Sequence, residues 1–363
     1  MKIVASLFRF RLPLKRPLAI KSETILHRKG LLLKLEDETG SAGWGEVSPL
    51  PGFSGESLMQ AEESLDFLLP RFTRKTFPDD FSSFARQLQS IGGKKLLFPS
   101  VRFGLEMAFL MLQGCRQRCS PAKLVARHPA PEVPVNALLS KHSGENSVTQ
   151  LLDAGYRTIK LKVGGENPAA EIERVRRISK QVAGRALLRL DANQAFSLRE
   201  ATTFTRAVKD YPVEYFEEPL QNPAELEMFA RQTGFPLALD ESILKYDLNF
   251  LEKIPGVRAF VYKPGIYGGV QDVLEIARAA RQRGTSLVVS SAFQTGLSVY
   301  FLANLAAALD QKPIAMGLGT LNYFREPLFE GLPKPANGKI ALNHGQFPEI
   351  KPNRKYLQLV KQY

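Results

Sequence analysis

Thr-Ile-Lys-Leu-Lys at residues 158–162 begins a series of short apolar segments that end on charged side chains. The series continues with Leu-Leu-Arg-Leu-Asp (187–191), Glu-Tyr-Phe-Glu-Glu-Pro (214–219), Leu-Ala-Leu-Asp (237–240) and Ala-Phe-Val-Tyr-Lys (259–263). Stretches with helical periodicity separate these segments, and apolar strands that alternate with helices indicate a parallel sheet covered on both faces. In the closed form of that architecture, the carboxyl ends of the strands meet at one mouth. The sequence therefore predicts a barrel whose mouth carries lysines and carboxylates.

Further segments on both sides extend this alternation into a (β/α) barrel over residues 128–321. The eight predicted strands are 133–138, 158–163, 186–191, 214–217, 237–240, 259–263, 286–290 and 314–317. The predicted helices between them are 147–154, 168–182, 198–209, 223–232, 270–283 and 299–309.

Residues 1–127 show a different order, in which strands come first and helices follow. This order predicts a separate α+β capping domain. Within it, Ser100 follows Pro99 and is the predicted N-cap of a helix that runs to Gly114. The tail at 322–363 contains a further predicted strand near 339–342, and we expect the tail to return to the capping domain.

Composition limits the class of protein. The chain has 363 residues, of which 44% are hydrophobic and 23% are charged, as in ordinary globular domains. Its apolar runs are far shorter than the roughly 20 residues that a membrane helix needs. Arg9 and Arg11 interrupt the apolar stretch near Met1, which argues against the core of a signal peptide. We therefore expect a cytoplasmic protein without a membrane partner.

Charge and cysteine content bear on partners. The 49 basic and 36 acidic residues give a net charge of +13, which fits either nucleic-acid binding or the steering of anionic substrates. The basic residues are spread widely and do not alternate with aromatic residues, so we expect no nucleic-acid partner. Cys115 and Cys119 are not part of a Cys-x-x-Cys pair, which argues against structural zinc. The sequence leaves the oligomeric state open.

Two lysines end the first segment of the series. Side chains two positions apart on a strand point the same way, so Lys160 and Lys162 share a face while Leu161 takes the other. If Leu161 packs against the outer helices, both amines enter the barrel, where like charges lower a lysine's pKa toward that of a usable base. Either lysine taken alone could also be a surface residue, with its methylene chain packed on the protein and its ammonium group in water.

Asp191, Glu217 and Asp240 lie at the ends of three successive predicted strands. Three converging carboxylates repel one another strongly unless a cation joins them. Oxygen ligands with open positions suit Mg²⁺, with Mn²⁺ as a second choice. Each carboxylate on its own could instead cap a helix or pair with an arginine. Matching positions on three strands favour the metal site.

Neighbouring residues are predicted to support these ligands. Arg189 has the same parity as Asp191, so it lies one layer beneath the metal and needs partners, which the ligand carboxylates could supply. Asn193 is expected to donate a hydrogen bond to a ligand. Lys263 ends the sixth strand, opposite the second strand in an eight-stranded ring, and faces Lys162 across the site. This arrangement suits removal of a proton α to a carboxylate and stabilisation of the resulting enediolate.

These residues resemble the motifs of the enolase superfamily, in its muconate-lactonizing-enzyme-like subgroup. The matching pieces are Lys160-Leu-Lys162, Asp191-Ala-Asn193, Glu217-Glu-Pro219, Asp240-Glu-Ser242 and Lys263-Pro-Gly265. The resemblance covers essentially the whole chain and implies an α/β fold, a modified (β/α)₇β TIM-like barrel with an α+β capping domain. It also implies that Lys162 is the general base, that Lys160 and Lys263 are further catalytic lysines, and that Mg²⁺ is held by Asp191, Glu217 and Asp240.

The loops around the predicted mouth resemble those of the o-succinylbenzoate synthase family. The stretch at 45–54, Gly-Glu-Val-Ser-Pro-Leu-Pro-Gly-Phe-Ser, is similar to their capping loop, whereas Ala292-Phe-Gln-Thr295 is not a close match. The resemblance implies that the substrate is bound by Pro51, Phe53, Ser290, Ser291, Gly317 and Thr320. It further implies a carbon–oxygen lyase that dehydrates 2-succinyl-6-hydroxy-2,4-cyclohexadiene-1-carboxylate, a small anionic dicarboxylate, to 2-succinylbenzoate in menaquinone biosynthesis.

Two other functions fit part of the pattern. A dipeptide epimerase or N-acylamino acid racemase of the same superfamily needs bases on both faces of its substrate, and Lys162 with Lys263 would provide them. The Pro49-Leu-Pro-Gly-Phe53 loop favours the synthase. A basic, non-enzymatic binding protein has the net charge of +13 as its support, and the intact catalytic positions argue against it.

Overall fold

The structure is a computed structural model that describes residues 2–20, 23–73, 77–139, 147–165, 167–246, 251 and 253–363. These residues form a four-stranded antiparallel sheet, a seven-stranded parallel sheet and two small two-stranded ladders. No helix in the described ranges combines the length and the apolar character needed to span a bilayer.

The strands and helices are as follows. The strands are β1 (Ile3–Ile20), β2 (Glu23–Asp37), β3 (Ala42–Val47), β4 (Glu132–Pro134), β5 (Ala137–Leu139), β6 (Thr158–Lys162), β7 (Leu187–Asp191), β8 (Val213–Glu217), β9 (Leu237–Leu239), β10 (Val257–Tyr262), β11 (Ser286–Val289), β12 (Phe329–Glu330), β13 (Lys339–Ala341), β14 (Lys351–Pro352) and β15 (Leu357–Gln362). The α-helices are α1 (Leu58–Thr73), α2 (Phe81–Leu96), α3 (Pro99–Arg116), α4 (Pro121–Val125), α5 (Ser147–Asp153), α6 (Pro168–Val182), α7 (Leu198–Val208), α8 (Leu226–Thr233), α9 (Ser242–Lys245), α10 (Val270–Gln282) and α11 (Gly296–Ala307).

The parallel sheet has the order β11-β10-β9-β8-β7-β6-β5. Residues 316 and 317 close the ring between its two edges, because Met316 bridges to Val135 and Gly317 bridges to Ser290. The predicted eighth strand is therefore a pair of isolated bridges rather than a full ladder. With helices around this ring, the predicted modified (β/α)₇β barrel is confirmed.

The predicted first strand at 133–138 is wrong as one continuous element. It divides into β4, which pairs antiparallel with β13, and β5, which pairs parallel with β6. The division falls at Val135, whose amide donates to Gly338 O (2.9 Å), while Asn136 N donates to Met316 O (3.0 Å). The chain thus leaves one ladder and enters the barrel within two residues.

The capping sheet has the order β15-β1-β2-β3 and packs against α3. A side chain at Gly45 would collide with the carbonyl oxygen of Gly104, so glycine on β3 lets the helix lie directly on the sheet. β15 pairs antiparallel with β1 from Ser6–Gln362 to Phe10–Leu357. The strand predicted near 339–342 instead joins β4 at the barrel. The division of the chain at residues 127 and 321 stays a prediction.

The N-terminus of α3 differs from the prediction for Ser100. The helix begins at Pro99 after Phe98, which makes no side-chain capping bond. Ser100 lies inside the first turn, and its amide donates to Glu56 Oε1 at 3.0 Å. The prediction of Ser100 as N-cap is wrong because a buried carboxylate distant in the sequence accepts the first-turn amide.

Candidate active site

Strand register places the catalytic candidates in two layers of the barrel. Lys162 is paired with Asp191 across β6 and β7, and Asp191 with Glu217 across β7 and β8. One layer below, Lys160 is paired with Arg189, and Arg189 with Tyr215. Leu161 is fully buried on the opposite face of β6. The two lysines therefore point toward the barrel axis at the carboxyl ends of the strands.

The predicted carboxylates and lysines form a single charged cluster. Asp191, Glu217 and Asp240 are all buried. Lys160 Nζ lies 2.9 Å from Asp191 Oδ2 and 2.8 Å from Glu217 Oε1. Lys263 Nζ donates to Asp240 Oδ2. The structure thus brings together the residues that the sequence placed on separate strands.

The pKa values follow from burial and from these contacts. Burial acts to lower the pKa of Lys160, but the carboxylates of Asp191 and Glu217 outweigh it and raise the pKa. The predicted lowering is therefore wrong for Lys160, because opposite charges lie closer to it than like charges. Burial also acts to lower the pKa of Lys263, and Asp240 outweighs it. Both lysines are held as cations.

The carboxylates respond in opposite ways. Burial raises the pKa of Glu217 in spite of Lys160, and the charges of Asp191 and Asp240 add to the rise. Burial also acts to raise the pKa of Asp191, but the ammonium groups of Lys160 and Lys162 outweigh it and keep the pKa below its usual value. The charged form of Glu217 is thus disfavoured by burial first and by neighbouring carboxylates second, which favours an additional cation beside it.

The donor set fits a hard divalent cation. Glu217 Oε2 is buried and has no hydrogen-bond partner among the described residues. Three buried carboxylates on successive strands supply the oxygen ligands that Mg²⁺ prefers. As the side chains stand, the described residues contain no group of three His, Cys, Asp or Glu arranged to hold a metal ion. The ammonium groups of Lys160 and Lys263 lie against these oxygens instead, so the metal site stays a prediction.

Arg189 is buried beneath Asp191, but its partners are not the predicted ligands. Its Nε donates to Glu214 Oε2 at 2.6 Å, and its Nη1 donates to Ala315 O at 2.6 Å. Its guanidinium also lies 4.7 Å from the ring centroid of Tyr215. The expectation that the ligand carboxylates pair with Arg189 is wrong, because Arg189 pairs with Glu214, near the start of β8, instead.

Backbone amides and a second glutamate orient two of the ligands. Asn193 donates its amide, rather than its side chain, to Asp191 Oδ1 at 3.1 Å. Glu218 faces away from Glu217 and accepts from Asp240 N (2.7 Å) and from Ser242 N (2.8 Å). Glu218 therefore fixes the chain at the end of β9. Neighbouring residues of a strand point to opposite faces, as Glu217 and Glu218 do, but the partners of Glu218 lie one strand-helix unit further on and cannot be read from the sequence.

Tyr267 is a site residue that the sequence analysis missed. Its hydroxyl donates to Asp240 Oδ1 at 2.7 Å and lies 3.4 Å from Lys263 Nζ. The signal was its spacing, because Tyr267 follows Lys263 by four residues and its backbone N–H donates to Lys263 O at 3.1 Å, which closes a turn. Its hydroxyl shares Asp240 with the lysine and limits how that carboxylate can rotate.

The segment from Lys263 to α10 is held by the capping domain. Glu106 on α3 is fully buried, and its carboxylate accepts the amide of Val270 in the first turn of α10. Arg102 Nε donates to Glu106 Oε1 at 2.9 Å, and Arg102 Nη1 lies 2.8 Å from Asp272 Oδ2. A carboxylate at a helix N-terminus is stabilising, so this contact joins α3 of the capping domain to α10 of the barrel, directly after the loop that carries Lys263.

A cavity of about 470 Å³ opens above the cluster. It is lined by Lys160, Lys162, Asp191, Glu217 and Lys263, by the predicted substrate-binding residues Phe53, Ser290, Ser291, Gly317 and Thr320, and by the apolar residues Leu18, Ile20, Leu50, Leu138 and Val288. The Phe53 ring centroid lies 5.9 Å from Lys263 Nζ. Such a cavity suits a small acid with an apolar ring.

Pro51 is placed differently from the prediction. It is exposed and lines a second cavity of about 730 Å³ on the outer side of the capping loop. The amides of Phe53 and Ser54 both donate to Leu50 O, at 3.0 and 2.9 Å. This turn sends Phe53 into the mouth and Pro51 away from it, so the prediction of Pro51 as a substrate contact is corrected.

Fold and site together define a class of enzyme. A closed ring of parallel strands carries lysines on β6 and after β10, and carboxylates at the ends of β7, β8 and β9, beneath a capping sheet. This is the arrangement of the enolase superfamily. The family model described as Enolase C-terminal domain-like matches residues 145–346, and the model described as MenC, N-terminal domain, matches residues 2–112.

Proteins of similar sequence indicate which family within the enolase superfamily this chain resembles. The o-succinylbenzoate synthase of Edwardsiella ictaluri is 30% identical over 334 residues, which cover 91% of this chain and 94% of that protein. Protein PHYLLO, chloroplastic, of Arabidopsis thaliana is 33% identical over 337 residues and 83% of this chain, but the chain spans 20% of PHYLLO's length.

Solved structures share the fold. The muconate lactonizing enzyme of Pseudomonas fluorescens in complex with muconolactone has a TM-score of 0.85 at 20% identity, covering 98% of both chains. A dipeptide epimerase from Enterococcus faecalis, complexed with Mg and L-Leu-L-Tyr, has a TM-score of 0.82 at 23% identity, covering 95% of this chain and 98% of that one. The chain belongs to the enolase superfamily, in the o-succinylbenzoate synthase family, and is an enzyme of the hydro-lyase class.

Proposed function

We propose that this enzyme is an o-succinylbenzoate synthase, which dehydrates 2-succinyl-6-hydroxy-2,4-cyclohexadiene-1-carboxylate to 2-succinylbenzoate in menaquinone biosynthesis, with Mg²⁺ as cofactor. One observation carries the proposal. Lysines on β6 and after β10, opposite positions of an eight-membered ring, flank a buried cluster of three carboxylates in a mainly apolar cavity. The name of the Edwardsiella ictaluri relative states this activity, as does that of a relative from Klebsiella pneumoniae that is 29% identical over 336 residues.

The contacts of Lys160, Lys162 and Lys263 indicate a different catalytic role for Lys162 than for the other two lysines. Lys160 contacts the carboxylates of Asp191 and Glu217, and Lys263 contacts that of Asp240, so we assign these two lysines as cations rather than bases. Lys162 is the remaining lysine of the cavity that the structure describes, and it removes the proton α to the ring carboxylate. The proton on Lys162 then passes to the departing hydroxyl on the same face, which leaves as water. This order balances the proton taken from carbon with the proton that the leaving group needs.

Positive charge on two sides of the substrate would stabilise the negative charge that develops when the proton is removed. Asp191, Glu217 and Asp240 would hold Mg²⁺, which supplies positive charge beside the substrate carboxylate when bound. Lys263 presents its ammonium from the opposite wall. Ser290, Ser291 and Thr320 line the same cavity and supply hydroxyl groups for the substrate's oxygens, while Phe53 excludes water beside Lys263.

The test is Lys162→Ala in the presence of Mg²⁺. Turnover, followed by the ultraviolet absorbance of the aromatic product, should fall by about 10²- to 10⁴-fold or more, the usual contribution of a general base. Lys162 is exposed at the cavity, so the unfolding midpoint should stay unchanged. Lys180→Ala, an exposed lysine at the end of α6, is the matched control and should keep wild-type rates. Substantial activity in Lys162→Ala would refute the role.

A dipeptide epimerase or N-acylamino acid racemase is the second candidate. Two lysines on opposite sides of one cavity support it, as does the fold shared with the Enterococcus faecalis epimerase. Both activities would use Lys162 and Lys263, so the two lysines do not separate them, whereas the Pro49-Leu-Pro-Gly-Phe53 loop favours the synthase. Incubation with an L,L-dipeptide in deuterated water distinguishes the two activities, because the racemising enzyme exchanges the α-proton.

A further inference from the structure

Phe293 lines the substrate cavity. Its backbone has an unusual conformation. Its φ is +55°, in the left-handed region that non-glycine residues rarely adopt. Its ring meets the ring of Tyr323 edge-on, with centroids 5.0 Å apart, and both residues line the cavity. Phe293 follows β11, which lies opposite β7 in the ring. The conformation must be stabilised by its surroundings to persist.

Arg28 on β2 supplies part of that stabilisation. Its side chain is fully buried, and its Nε donates to Phe293 O at 3.1 Å. The same guanidinium donates to Ser48 O and to Pro49 O, the latter at 2.8 Å. One buried cation therefore joins the start of the capping loop to the barrel segment that carries Phe293. Lysine could not make these bonds together, because they use the separate nitrogens of a planar fork.

Glu46 on β3 holds the same segment two residues further on. It is fully buried and accepts from Thr295 N (3.1 Å), Thr295 Oγ1 (2.6 Å) and Ser298 Oγ (2.7 Å). These donors form the first turn of α11, so a side chain of the capping sheet caps a barrel helix. Glu46 also accepts from Ser48 Oγ at 2.7 Å, next to the carbonyl that Arg28 binds.

We infer that Arg28 and Glu46 are positioning residues that hold Phe293 against Tyr323 and thereby set the shape of the cavity wall opposite the carboxylate cluster. The inference rests on the proposed function for its kinetic readout. Because the wall contacts the body of the substrate and not the reacting atoms, its loss weakens substrate binding more than it slows the chemical step.

The test is a double-mutant cycle between Arg28→Met and Phe293→Gly. Arg28→Met should raise KM by about tenfold, with a much smaller change in kcat. Glycine accepts positive φ without strain and lacks the ring, so adding Arg28→Met to Phe293→Gly should raise KM by clearly less than Arg28→Met does in the wild type, because only the contacts of Arg28 with the capping loop are then lost. Arg28→Lys and Glu46→Gln should raise KM in the same direction. Arg157→Met is the matched control, since Arg157 donates to Leu152 O (3.0 Å) and Tyr156 O (3.1 Å) before β6, away from the mouth.

Hydrogen exchange gives a readout that does not depend on the substrate. Amides of residues 293–298 should exchange at least about tenfold faster in Arg28→Lys than in wild type, and at the wild-type rate in Arg157→Lys. Loss of kcat at constant KM with uniformly faster exchange would overturn the inference and leave Arg28 a general stabiliser. Additive KM effects in the double mutant would also overturn it. Absence of dehydration in the wild type, with the local exchange effect intact, would refute the proposed function alone.

Discussion

Glu106 gives the sharpest prediction for stability, because it is buried between the capping helix α3 and the barrel helix α10. Burial raises its pKa from 4.5 to about 7, although the Arg102 guanidinium and the amide of Val270 oppose the shift. The folded protein therefore binds this proton more tightly than the unfolded chain. Stability must fall as the pH rises from the unfolded pKa to the folded one.

The size of the effect follows from the shift. A rise of this size corresponds to about 3 kcal/mol at full ionisation, of which about 2.5 kcal/mol falls between pH 5 and pH 8. Glu106→Gln keeps an oxygen for the amide of Val270 and removes the titration. Relative to the variant, the wild type should therefore lose about 2.5 kcal/mol over that interval.

Urea unfolding at pH 5 and pH 8 measures this difference. With an m-value near 3 kcal/mol/M for a chain of this size, the wild-type midpoint should move by roughly 0.8 M relative to that of Glu106→Gln. Glu173→Gln is the control, because Glu173 pairs with Arg176 on the exposed side of α6. A midpoint difference between wild type and Glu106→Gln that is equal at the two pH values would refute the reasoning.

Three further outcomes follow from the site. Glu214→Gln leaves the buried Arg189 cation without its carboxylate, and urea unfolding should show a loss of roughly 3 kcal/mol; an unchanged midpoint would contradict this pairing. Tyr267→Phe removes a donor to Asp240 and should weaken Mg²⁺ binding by about tenfold or more in calorimetric titration, whereas an unaltered affinity would exclude that role. Chelation of divalent ions should abolish turnover and added Mg²⁺ should restore it; turnover that persists in chelator would remove the metal from the mechanism.

The features of the fold that depend on local periodicity could be predicted from the sequence. The two-residue period of β6 put Lys160 and Lys162 on one face, and the helical pattern after Pro168 predicted α6 with the same bounds as in the structure. Asp191 and Glu217 could be placed in one layer because parallel strands of similar length end together.

Contacts between distant segments could not be predicted. The sequence contains Glu214 and Arg189, but a register shift between Leu188 and Arg189 decides that they meet. In the same way, the first-turn amide of α3 donates to Glu56, 44 residues earlier in the chain, and Ser100 is not the cap. Such pairings depend on tertiary packing, which no local pattern encodes.

The pairing of β1 with β15 has a consequence for synthesis on the ribosome. Ser6 emerges early but meets Gln362 only after the barrel strands have left the exit tunnel. Until then β1 has an open edge, whose unpaired amides and carbonyls can recruit strands from neighbouring nascent chains. Slow translation of the later segments should therefore lower the yield of native enzyme, and a chaperone that shields β1 should restore it.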